Sequence, residues 1–167
     1  MDQSIINFKV YEDSVEYVGM AQATLPDLTA LTQSISGAGI AGNVESVILG
    51  HFDAMTLGLN FRTVTDQSVK LSRRHTIDLR VAQQDEDVVA GKVVVRAVKH
   101  ILVVIPKSDK GGSVAPAAPS NGSGEYAVRY WATYIDGKKV REVDQLNFIC
   151  YVNGTDYLAD VRKALGM

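Results

Sequence analysis

Residues 140–167 read VREVDQLNFICYVNGTDYLADVRKALGM, and this stretch decides the fold class. Asp136-Gly137 just ahead of it is a strong hairpin signal, because a type I′ turn needs positive φ at both central positions. Residues 138–143 therefore return as a strand, and residues 147–152 add a last one around the apolar run Phe148-Ile149-Cys150-Tyr151-Val152. After the Asn153-Gly154 turn a short amphipathic helix closes the chain. Thr155 is its expected N-cap, Asp156 lies in its first turn, and Gly166 is its stop. Leu158, Val161 and Leu165 share one face and are the expected docking residues. A helix of about ten residues is marginal alone. Three apolar anchors contribute about 1.5–3 kcal/mol each when buried, so packing on a sheet decides whether it forms.

The rest of the chain reads as strands. Asn7-Phe8-Lys9-Val10-Tyr11 and Val15-Glu16-Tyr17-Val18 alternate, with Glu12-Asp13-Ser14 as the turn of a hairpin. Leu25-Pro26-Asp27-Leu28 interrupts the pattern, since proline removes a ladder donor. Residues 29–35 are ambiguous between extended chain and a helical turn, and residues 36–43, SGAGIAGN, read as a loop. Residues 44–49 and 54–61 are strands; in the second, Met55, Leu57, Leu59 and Phe61 fall on one face. Residues 65–73 are the candidate for one further short helix, with Asp66 as its N-cap.

The strongest strands follow. Residues 76–83 place Ile77, Leu79 and Val81 on one face, and Asp85-Glu86-Asp87 reads as an acidic connector. Residues 92–105, KVVVRAVKHILVVI, exceed a typical strand in length and carry valines and charges on both faces, so one face is at least partly wet. Such a strand spans a large or curved sheet or projects past the domain. Residues 107–124, KSDKGGSVAPAAPSNGSG, read as a flexible surface loop, and residues 125–135 as an aromatic-rich strand. The fold class is mainly β, an antiparallel barrel or sandwich with a short C-terminal helix, in one domain over 1–167.

Composition narrows the function. Nineteen acidic and 17 basic residues give a formal net charge of -2, which argues against a general nucleic-acid binder. Arg73-Arg74-His75 is the one local basic cluster and reads as solvated surface. One cysteine, Cys150, excludes an intrachain disulfide and sits in an apolar run as a small hydrophobe. Met1-Asp2-Gln3-Ser4 has no long apolar core after it, so no secretion signal and no membrane insertion are expected, and the Asn-x-Ser/Thr triplets at Asn121 and Asn153 carry no glycosylation meaning.

Chemistry-bearing motifs are weak. Gly37-Ala38-Gly39-Ile40-Ala41-Gly42 matches G-x-G-x-x-G, but a dinucleotide site needs a helix after the loop, and residues 43–48 are strand-like. His51, at a turn, His75, at a strand start, and His100, within a strand, have no metal-ligand spacing. Asp85-Glu86-Asp87 lacks the central glycine of a calcium loop, and no G-x-S-x-G elbow is present. No catalytic residue, metal or cofactor is expected.

The chain resembles the major tail tube protein of contractile-tailed phages and of related phage-tail-like (R-type) bacteriocins. Glu142-Val143-Asp144 followed by Val152-Asn153-Gly154-Thr155-Asp156-Tyr157-Leu158-Ala159-Asp160-Val161-Arg162-Lys163-Ala164-Leu165-Gly166 resembles that family's closing pattern. Asp136-Gly137, Asn7-Phe8, Tyr17-Val18-Gly19, Leu25-Pro26-Asp27-Leu28 and the glycine loop fall in the expected order. The loop lacks the family's following proline, and Glu12-Asp13-Ser14 lacks its Asp-Gly turn.

The resemblance implies a structural subunit of an inner tail tube: six copies form a ring, and rings stack into a hollow tube inside a contractile sheath. The tube conducts DNA or pierces the target envelope. Implied partners are the chain itself, the tail sheath, baseplate, tail terminator and tape measure proteins, with DNA a further candidate for the lumen. The particle, a virion tail or bacteriocin, would assemble in the host cytoplasm. Gly37, Gly39, Ile40, Gly42 and Asn43 are candidates for contact between rings, and Arg80, Arg96, Lys99 and Arg129 for the channel wall. The alternatives are the tube of a type VI-like secretion system and, from a different class, a small-ligand-binding β-barrel with loops 37–43 and 107–124 at its mouth.

Overall fold

The computed structural model describes residues 3–12, 15–17, 20–64, 66, 69 and 75–167. The turn residues Asp13 and Ser14, the Val18-Gly19 pair, the Arg73-Arg74 pair and most of the expected helix over 65–73 lie outside them. The elements are β1 (Gln3–Glu12), β2 (Val15–Tyr17), β3 (Met20–Thr24), β4 (Ala30–Ile35), β5 (Val44–Phe52) and β6 (Met55–Phe61). They continue with β7 (His75–Asp87), β8 (Lys92–Lys110), β9 (Ser123–Ile135), β10 (Lys138–Asp144), β11 (Ile149–Val152), β12 (Thr155–Asp156) and the C-terminal helix α1 (Ala159–Ala164).

All strand pairings among the described residues are antiparallel. The main sheet runs β12-β11-β10-β9-β8-β7-β1-β2. It forks at β9, whose residues 130–135 pair with β10 while residues 123–128 pair with β6, and β6 in turn carries β3. The branch folds over the sheet. Met55, Leu57, Leu59 and Phe61 of β6 are all buried, as period two requires, against Val10, Ile77, Leu79, Leu102, Val104, Val128, Trp131 and Val143. Bulges bend the strands: Arg129 is the extra residue of β9 between Val103↔Tyr130 and Val104↔Val128, and Lys107 the extra residue of β8 just after Pro106.

Several boundaries differ from the sequence reading. β7 takes in Asp85-Glu86-Asp87, because the hairpin with β8 stays paired to Asp87↔Lys92. β8 runs to Lys110 and β9 starts at Ser123, so the irregular connection is 111–122. Its base is fixed: Ser120 N donates to Arg62 O at 2.9 Å and Phe61 N to Gly122 O at 2.7 Å. Residues 30–35 are strand, and His51 belongs to β5 rather than to a turn. The Asp136-Gly137 turn has the expected geometry, with φ +49° and +80°.

At the C-terminus, Thr155 is not an N-cap. It pairs with Val152 in β12, and the helix starts four residues later with Leu158 in the cap position. Asp156 lies just before the helix, its Oδ1 accepting from Leu158 N at 3.1 Å. Leu158 docks at 3% exposure, Val161 is half-buried, and Leu165 is 58% exposed, so the expected three-residue docking face reduces mainly to Leu158. The reason is length: six helical residues cannot reach the sheet with both ends.

Candidate assembly surfaces

Among the described residues three surfaces are left open. The first is an arm. β4 and β5 form a separate two-stranded sheet, and Leu31, Ile35, Val44, Val47, Ile48 and Leu49 on it are exposed. A bare two-stranded ribbon with exposed aliphatics on it gains little stability by itself. At its tip, residues 36–43 form the glycine loop, which brings Gly37, Gly39, Ile40, Gly42 and Asn43 together, all exposed. Gly39 and Gly42 have φ +93° and +105°, and Ile40 N donates to Gly37 O at 3.1 Å. The loop joins two antiparallel strands, so the helix that a dinucleotide loop would feed is absent here.

The second is a sheet edge. β8 is paired with β7 along residues 92–104, but its pairing with β9 begins only at Val98↔Ile135. Asp136 closes that end, its N donating to Ala97 O at 2.8 Å and its Oδ1 accepting from Ala97 N at 3.0 Å. Beyond it, residues 92–96 have no strand partner on that side among the described residues. Val93, Val94 and Val95 there are exposed, as are Val88, Ile5 and Ile6, and Val89 at the hairpin tip is 99% exposed. Unpaired, apolar strand margins of this kind favour pairing with another chain.

The third is the face of the main sheet opposite the core. Lys9, Arg80, Lys99, Tyr134 and Lys139 are successive cross-strand partners and form one row over five strands. The neighbouring row is Tyr11, Asp78, Ile101, Ala132, Glu142 and Tyr151. Its two acids pair with Arg80, Lys99 and Lys139: Asp78 Oδ2 lies 3.1 Å from Arg80 Nη2 and 3.5 Å from Lys99 Nζ, and Glu142 Oε2 accepts from Lys139 Nζ at 2.7 Å. The Arg80 guanidinium lies over the Tyr11 ring at 4.7 Å and Lys139 Nζ over the Tyr151 ring at 4.8 Å. Burial, then the charge of Glu142, pushes the Tyr130 hydroxyl up to about 12.

Of the four channel-wall candidates, the structure brings Arg80 and Lys99 side by side on this face. Arg96 points to the opposite face, where it pairs with the buried Asp85, and Arg129 is the extra residue of the β9 bulge, in neither row. The tyrosines and Asp78 were missed because strand order, which period-two reading does not give, sets which rows align.

Behind this face lies a buried polar row. Trp131 Nε1 donates to His100 Nδ1 at 3.3 Å, so Nδ1 holds a lone pair and the ring proton sits on Nε2. Thr133 Oγ1 is 3.1 Å from the same nitrogen, and the Arg141 guanidinium lies over the Trp131 ring at 4.0 Å. Burial, helped by the charge of Arg141, lowers the His100 pKa to about 4. Burial likewise raises the Cys150 thiol, which keeps it protonated and inert.

A known structure shares this architecture. A chain from the cryo-EM structure of the PVC sheath/tube terminator of an extracellular contractile injection system, in the extended state, superposes with a TM-score of 0.54 at 10% identity, covering 77% of this chain and 94% of that one. A chain of the PVC sheath–tube complex gives 0.47 at 11% identity, covering 77% of this chain and 85% of that one. The first likeness shows a common fold. No curated protein matches the sequence. The family model of the phage tail tube protein FII matches residues 2–166, and with the fold, the arm and the open edge in place, this chain belongs to that family of tail tube structural subunits.

Proposed function

We propose that six copies close into a ring and that rings stack head to tail into the hollow inner tube of a contractile particle. Closed rotation satisfies one direction of assembly, and a heterologous contact leaves the stacking direction free to grow. The single observation that carries this reading is the amount of apolar strand surface left uncovered at two separate places: the β4–β5 arm and the β8 edge at 92–96. In the tube the β8 edge pairs with a neighbour in the ring. The tip loop 37–43 reaches the next ring.

The charge-paired face carrying Arg80 and Lys99 lines the bore. Arg80 and Lys99 share Asp78, and Lys139 is paired with Glu142, so the face holds water and its cations grip passing DNA or protein cargo less than unpaired ones would. Sheath, terminator, baseplate and tape measure proteins are the partners of such a tube, assembled in the host cytoplasm. The subunit acts through geometry and not through catalysis. Sedimentation of the purified chain tests the reading: ring-sized and larger species should form, and Val47→Lys with Leu49→Lys, both exposed on the arm, should stop growth at the single ring with the melting temperature unchanged. Wild-type protein that stays monomeric at every concentration contradicts it.

A further inference from the structure

The arm leaves the body through one short stretch. Its pairing is regular from Ile35↔Val44 to Thr32↔Val47 and resumes only at Ala30↔Phe52, so residues 48–51 bulge out opposite Leu31. Within that bulge Gly50 has φ +66°, a conformation that favours glycine. The space its Cβ would take is occupied by Leu158, whose Cγ and Cδ1 would stand 2.6 and 2.7 Å away. Beside this contact Gln145 Nε2 donates to Phe52 O at 3.1 Å and to Asp53 O at 3.3 Å. A cavity of about 330 Å3 borders the pair, lined among others by Phe52, Gln145 and Phe148.

Leu158 is itself held in place. Asp156 Oδ1 accepts from its N–H, Asp156 Oδ2 accepts from Arg162 Nη2 at 2.5 Å, and Arg162 Nη1 donates to Phe148 O at 2.6 Å. Fixed contacts therefore run without a break from α1 through Leu158 to the root of the arm. No residue of α1 is buried, and the buried side chain next to it, Leu158, is the one seated on that root.

We propose that residues 156–162 position the arm: Leu158, seated on Gly50, sets the direction in which β4–β5 leaves the sheet. A bulge with a glycine in it is a natural swivel, because it bends the strand and leaves φ and ψ little constrained. The leucine removes that freedom by filling the one place where the backbone could turn back. This deepens the reading of the arm as an inter-subunit element, and rests on it only for the consequence in assembly. The positioning is a property of the isolated subunit.

Spin labels test it. Glu45→Cys on the arm and Lys138→Cys on the body, in a Cys150→Ala background, report the arm direction by double electron–electron resonance. Thr76→Cys with Lys138→Cys is the control pair within the main sheet. Gly50→Ala and Leu158→Ala should each at least double the width of the arm–body distance distribution and leave the control width unchanged, while Leu165→Ala changes neither. An arm–body width that stays as narrow as wild type in both variants overturns the proposal, as does equal broadening of the control pair in both. Tube formation by the same variants is read separately: a loosened arm with normal tubes supports the positioning and counts against the arm's role in stacking.

Discussion

Leu158 rests on the backbone of Gly50, across 108 positions of sequence, in the space that a side chain at position 50 would need. The contact ties the last element of the chain to the root of a projecting hairpin. It also makes Leu158 the residue on which the C-terminal segment depends, since α1 buries none of its own.

Truncating Leu158 to alanine should therefore cost about 2–5 kcal/mol, the range for a large buried aliphatic that leaves a cavity. Leu165→Ala, at a position 58% exposed, should change stability by less than about 0.5 kcal/mol. Urea denaturation of the two variants checks both values. Equal losses would mean that the helix docks by its whole face, as its spacing suggests.

That contrast shows what the sequence made legible. Period two placed Met55, Leu57, Leu59 and Phe61 on the buried face of β6, and local turn chemistry placed the hairpin at Asp136-Gly137, because both signals are carried by adjacent residues. Thr155 was misread as a cap because its pairing with Val152 is a tertiary fact that outweighs its capping preference. Pro106 lies inside β8, where a bulge follows it at Lys107, so the strand runs on past its expected end at residue 105. The row Lys9, Arg80, Lys99, Tyr134 and Lys139 joins residues from five strands, and only the strand order reveals it.

The buried imidazole of His100 predicts an acid-sensitive fold. The unfolded ring takes up its proton near the ordinary value of 6.5, the folded ring only near 4. Between those values the unfolded state holds more protons, so stability falls as pH falls through that window, by about 3 kcal/mol in all at about 1.4 kcal/mol per unit. A proton on Nδ1 would face the Trp131 N–H that it now accepts from. His100→Gln keeps an acceptor and removes the titration. Its stability, followed by urea denaturation from pH 7 to 4, should lose most of the wild-type slope; an unchanged slope would place the acid sensitivity elsewhere.

The 111–122 connection should split into a dispensable tip and a required base. Val114 is 100% exposed, whereas Ser113 N donates to Ser120 O at 2.8 Å and closes the tip off. Replacing residues 114–119 by two glycines should leave the melting temperature within about 2 °C. Removing residues 120–122 as well takes away the bonds to Phe61 and Arg62 and should lower it by several degrees, about 1–2 kcal/mol. Thermal unfolding of the two deletions distinguishes the segments.

Negative-stain microscopy of the purified wild-type chain over a concentration series measures the central claim directly. Subunits whose apolar strand margins are completed by neighbouring copies should appear as rings or stacked tubes with a central hole. A field of small solid particles at every concentration, with no ring or tube, would contradict the account.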